Sequence, residues 1–81
     1  MFASECSFGE LVQAFEYALF DYKTANWGVY RISFESLLSY SNVRVGNAKD
    51  RSRCMRAMRA LRDKHLCYRY NRDTDDWMIF R

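Results

Sequence analysis

Between Lys49 and Arg59, cationic and hydroxyl side chains recur at intervals of three and four residues: Lys49, Ser52, Arg53, Arg56 and Arg59. At helical spacing these fall on one side of a helix. The arginines present planar forks that can donate two hydrogen bonds to a phosphate or to the O6/N7 edge of guanine. Ser52, near the helix start, can donate to a phosphate alongside free backbone N–H groups. Four to six neutralised phosphates would make log K fall with log salt at a slope of roughly −4 to −5. A solvated basic face on a good helix former is the plainer reading of the same residues.

Cys54, His65 and Cys67, with Cys6 as a fourth, match no zinc spacing, so no metal site is expected. The single histidine has no Ser or Cys partner in a defined motif, and no glycine-rich phosphate loop is present. The chain is therefore read as no enzyme, with no cofactor and no evident small-molecule ligand. An odd number of cysteines, three, argues for buried free thiols rather than a disulfide framework.

Composition sets the frame for these groups. The 81 residues are 49% hydrophobic and 17% aromatic, enough for one compact domain over 1–81, with 1–6 as an N-terminal arm. No apolar run approaches the ~18 residues a membrane span needs, and no signal-peptide pattern is seen. The expectation is a soluble, intracellular protein. The net charge of +3 is unevenly spread. Residues 1–42 carry two bases and five acids, net −3, whereas residues 43–81 carry eleven bases and five acids, net +6. Ten of the thirteen bases are arginine.

The elements that must position the basic residues can be read in order. Ser7-Phe8-Gly9-Glu10 fits a capping box opening a helix over 8–25, with Phe8, Leu11, Val12, Phe15, Ala18, Leu19 and Tyr22 as its apolar stripe. Val29–Ile32 reads as a short strand. Ser33 caps a second helix over about 34–41, with Phe34, Leu37, Leu38 and Ser41 facing one way. Residues 42–48 read as a loop, and a third helix spans about 49–64. Its core face holds Cys54, Ala57, Met58, Leu61 and His65. A hairpin over about 66–80 follows, with Leu66, Tyr68 and Tyr70 expected on one face and Asn71–Asp76 as the turn. Trp27 is expected in the core, and Trp77 beneath the hairpin against the third helix.

Helix, short strand, helix, basic helix, hairpin: this order resembles the winged helix-turn-helix family over nearly the whole chain. The segment Met55–Leu66, in which small and apolar residues alternate up to a final leucine, is similar to the family's recognition helix, and the hairpin to its wing. The resemblance implies an α+β fold and double-stranded DNA as partner. It places the third helix in the major groove and the wing, with Arg69 and Arg72, along a neighbouring phosphate backbone or minor groove, as in a transcriptional regulator. The wing turn also carries Asp73, Asp75 and Asp76, which would repel phosphate. Either the wing points away from DNA, or the domain binds something else, or the carboxylates close an Asx-type turn or neutralise a neighbouring cation.

Tyr17 and Phe20 point away from the apolar stripe of the first helix. Exposed together, they suggest a homodimer or partner interface, unless the N-terminal arm folds over them. A module that uses these aromatics and the acidic wing on a protein partner is the alternative to DNA binding.

Overall fold

The computed structural model describes residues 1–80. A 3-10 turn at Ala3–Glu5 leads into helix α1 (Phe8–Ala25), strand β1 (Arg31–Ser33), helix α2 (Phe34–Ser41) and helix α3 (Ala48–Asp63), followed by strands β2 (Cys67–Asn71) and β3 (Asp76–Ile79). The fold is α+β, three helices on one antiparallel sheet of order β1-β3-β2. Central β3 pairs Ile32 with Trp77 on one side and Tyr70 with Trp77 on the other.

Local chemistry explains the helix starts. Ser7 Oγ accepts the Glu10 N–H at 3.1 Å while the Glu10 carboxylate accepts the Ser7 N–H at 3.0 Å. Ser33 Oγ accepts the Ser36 N–H at 3.0 Å and so caps α2. Asn47 Oδ1 accepts the Asp50 N–H at 2.9 Å, which starts α3 at Ala48, one residue ahead of the expected start. The Asp50 carboxylate, although buried, accepts the Gly46 N–H at 2.8 Å and is thereby satisfied. A Cβ on Gly46 would stand 3.3 Å from the Phe2 ring, so glycine permits the arm to close on this turn.

The core joins Leu11, Phe15 and Leu19 of α1, Leu37 of α2, and Met58 and Leu61 of α3 to Ile32, Trp77 and Ile79 of the sheet. Trp77 is 1% exposed and occupies the expected place beneath the hairpin. Residues 1–6 are part of this packing. Ala3 and Cys6 are buried, and the arm pairs with the loop before α3 through Ala3 N–H to Arg44 O at 2.9 Å and Arg44 N–H to Met1 O at 2.7 Å. Among the described residues, no helix is long and apolar enough to cross a membrane.

Four side chains depart from the expected pattern, each for a local reason. Trp27, expected in the core, is 91% exposed. Helix α1 ends at Ala25, and a turn through Gly28 (φ 88°) carries the indole outward. Tyr22 instead covers that end, edge-on to Tyr40 at 5.3 Å. Phe8 sits in the first position of α1, where the core no longer lies beneath the stripe, and is exposed. His65 does not continue the core face of α3, because the helix stops at Asp63 and His65 adopts a left-handed φ of 63°. The Leu66 N–H bonds Leu61 O, and the His65 N–H bonds Arg62 O, both at 3.0 Å; this is the Schellman closure. Tyr68 is extruded by a bulge between Cys67 and Arg69, so Cys67 and Tyr70, not Tyr68, face inward.

Candidate nucleic-acid interface

The sequence of α3 partitions cleanly around its axis. Cys54, Ala57, Met58 and Leu61 are buried, whereas Lys49, Ser52, Arg56 and Arg59 are exposed on the far side. Ser4 of the arm and Lys49, Ser52, Arg53, Arg56 and Arg59 of the helix line an open groove of about 850 Å³. Lys49 to Arg59 spans ten residues, about 15 Å of helix at 1.5 Å per residue. Arg51 and the buried Asp50 line the same groove, and among the described residues the one salt bridge joins Arg51 to Asp75, so Lys49, Arg53, Arg56 and Arg59 have no carboxylate ion-pair partner. Their field is therefore free to act on an external anion.

Arg53 differs from its neighbours. It is half-buried, and its Nη2 donates to the Cys6 carbonyl at 2.9 Å. One donor of its fork thus clamps the N-terminal arm to α3. Its Nε is buried without a partner among the described residues.

The expected wing residues lie elsewhere. Arg69 is exposed on β2 opposite Met78, which in turn opposes Arg31 on β1. Because Trp77 and Ile79 on either side of Met78 face the core, this Arg31-Met78-Arg69 row lies on the outer face of the sheet. Arg72 is exposed in the turn that joins β2 to β3. Neither Arg69 nor Arg72 lines the α3 groove.

The acidic turn is not the free, repulsive loop the residue types suggest. Asp75 Oδ1 accepts from Arg51 Nη2 at 2.6 Å and from the Tyr70 hydroxyl in a short hydrogen bond. Its backbone carbonyl accepts the N–H of Phe34, the first residue of α2, at 2.9 Å. The Arg51 guanidinium lies 4.3 Å over the Phe34 ring. Partial burial pushes the Asp75 carboxyl up. The hydrogen bonds from Tyr70 and Arg51 and the Arg51 charge outweigh it, leaving the group below the usual carboxylate range. The Asx turn at the hairpin tip is made by Asn71, whose Oδ1 accepts the Asp73 N–H at 3.0 Å, rather than by an aspartate. The turn is thus docked on the starts of α2 and α3, with Asp73 still exposed.

Reading by residue type overlooked Arg51. The signal is present: Arg51, Cys54, Met55 and Met58 form an i, i+3, i+4, i+7 stripe, which places Arg51 on the flank turned toward the sheet. Tyr17 (61% exposed) and Phe20 (71%) stay uncovered, because the arm packs against α3 instead. The three cysteines are buried, and burial pushes the Cys54 and Cys67 thiols up to about 11. His65, by contrast, is exposed. No group of three His, Cys, Asp or Glu among the described residues is placed to hold a metal ion.

Comparison of the chain with protein-family models, with curated proteins and with solved structures finds no match in any of the three.

Proposed function

We propose that this chain is a winged-helix domain that binds double-stranded DNA through α3, in the manner of a small sequence-specific transcriptional regulator. The observation that carries the reading is the line of Lys49, Arg56 and Arg59, exposed along one groove and unpaired with any carboxylate among the described residues. An α-helix fits the major groove, and arginines on its outer face can reach both phosphates and guanine edges. The sheet order β1-β3-β2 and the helix order support the same reading, since they follow the winged-helix arrangement. The docked turn bears on it too: Arg51 neutralises Asp75 and lowers the repulsion a phosphate would meet there. Arg72 is the wing cation nearest the tip, and Arg69 belongs to a separate surface.

Fluorescence anisotropy with a labelled mixed-sequence duplex tests this. Binding should tighten steeply as salt is lowered, with a log–log slope of roughly −4. Absence of binding at low salt would overturn the proposal.

A further inference from the structure

The exit of α1 exposes more apolar surface than the fold uses. Phe20, Lys23, Trp27, Val29 and Tyr30 line an open groove of about 350 Å³. Trp27 is 91% exposed, Phe20 71% and Tyr17 61%. Scattered exposed apolar side chains are ordinary, but Phe20 and Trp27 line one groove and Tyr17 lies three residues before Phe20 on the same side of α1, a grouping of the kind that marks an interaction surface.

The charges around the patch select its occupant. Glu16 and Asp21 lie on the same helix, one on each side of Phe20 in sequence. They oppose a phosphate backbone and anionic lipid headgroups alike. Glu16 and Lys23 are seven residues apart, so they share one flank of α1 about 10 Å from each other along its axis. Among the described residues neither has an ion-pair partner. An acid and a base on one flank, placed almost evenly either side of Phe20, form a self-complementary pair.

We propose that the patch docks a second copy of this chain, α1 against α1, antiparallel about a two-fold axis beside Phe20. Such an axis keeps each flank on its own side and reverses it end to end. Glu16 of one copy then stands beside Lys23 of the other, and the ion pair forms twice. Phe20 meets Phe20 at the axis, and Trp27 reaches the exposed Gln13 of the other copy. With ~150–250 Å² for a fully buried aromatic, the present exposures leave on the order of 300–550 Å² per copy to cover. Two copies together with the helix flanks reach the low end of stable interfaces, about 1,200 Å². The dimer is accordingly a modest one, and it does not depend on DNA.

Sedimentation equilibrium on the full chain without DNA tests the inference, with far-UV circular dichroism to confirm that each variant is folded. The mass should rise with concentration from 9.7 kDa toward twice that value. Phe20→Glu should weaken association about 30-fold or more, as expected for a central aromatic. Glu16→Lys and Lys23→Glu should each weaken it about tenfold, and the double variant should return to near the parent value, because the reversed pair forms again across the axis. A chain monomeric to ~1 mM would overturn the proposal, as would a double variant no better than the singles. A monomer whose Trp27 emission shifts blue only on adding phosphatidylcholine/phosphatidylglycerol vesicles would assign the patch to a membrane surface instead.

Discussion

Arg51 and Asp75, 24 residues apart, meet at 2.6 Å and tie the hairpin turn to the first turns of α3 and, through the Asp75 carbonyl, of α2. Three elements converge on this contact, yet both side chains remain about two-fifths exposed. Solvent therefore screens the pair, and its contribution is modest despite the short distance.

Asp75→Asn isolates that contribution. Asparagine tolerates the left-handed φ of 56° at this position, so the backbone is retained while the charge is lost. The variant should be less stable by about 0.5–1 kcal/mol at neutral pH. Because the folded carboxyl is held below its ordinary value of 3.8, the stabilisation is present above that pH and lost as pH falls through the folded value. Urea titrations at a series of pH values from 7 downward should show the separation between parent and variant shrinking once the folded Asp75 carboxyl takes up its proton, below 3.8. A separation that begins to shrink well above pH 3.8 would rule the Asp75 carboxylate out as the cause.

His65 occupies a left-handed position that glycine adopts without penalty, at the point where α3 closes. His65→Gly should therefore stabilise the fold by about 0.5–1 kcal/mol. For a domain of this size that is a rise in Tm of roughly 2–8 °C. Thermal unfolding followed at 222 nm reads it directly. A fall in Tm would mean that the exposed imidazole makes a stabilising contribution of its own.

Where structure is set by neighbours in sequence, the residues announce it. Ser7 with Glu10, and Ser33 with Ser36, are three residues apart, and α1 and α2 begin where those caps place them. What sequence alone concealed is set by distant contacts or by the direction of a turn. Trp27 has the composition of a core residue, but the chain reverses at Gly28 and turns it outward. Tyr68 follows the alternation of a strand until a bulge, created by pairing with β3, pushes it out. The basic face of α3 was legible because helical periodicity is local, whereas the engagement of Arg53 with Cys6 spans 47 residues. Asp75 is the sharpest case: one carboxylate type, repulsive in isolation, becomes an anchor only once Arg51 is folded beside it.

The cysteines offer a readout of core integrity. Cys54 and Cys67 are fully buried, and burial pushes both thiols up to about 11, so the reactive thiolate is scarce at neutral pH. Cys6, the last residue of the arm, is 5% exposed. At pH 8, Ellman's reagent should label no thiol within minutes in the native chain and all three once urea unfolds it. Fast labelling of one thiol would locate an opening; if it is Cys6, Arg53→Ala should accelerate it, because the Cys6 carbonyl loses its clamp.

Arg56 and Arg51 make the most informative contrast for the proposed interface, since both line the α3 groove but only Arg51 is held by a carboxylate. Arg56 is exposed in the groove, and no hydrogen bond or ion pair within the described residues engages its guanidinium. Arg56→Ala should leave stability within about 0.5 kcal/mol of the parent. It should weaken duplex binding and reduce the magnitude of the salt slope by about 1, the signature of one lost phosphate contact. Arg51→Ala removes the Asp75 ion pair and the contact with the Phe34 ring, and should cost about 1–2 kcal/mol of stability. In the still-folded protein it uncovers the Asp75 carboxylate, so duplex binding should weaken somewhat, but with a smaller change in salt slope than Arg56→Ala gives. Unchanged binding and slope for Arg56→Ala, with a reduced slope for Arg51→Ala, would move the anion-binding surface from the outer face of α3 to the junction of α3 and the hairpin.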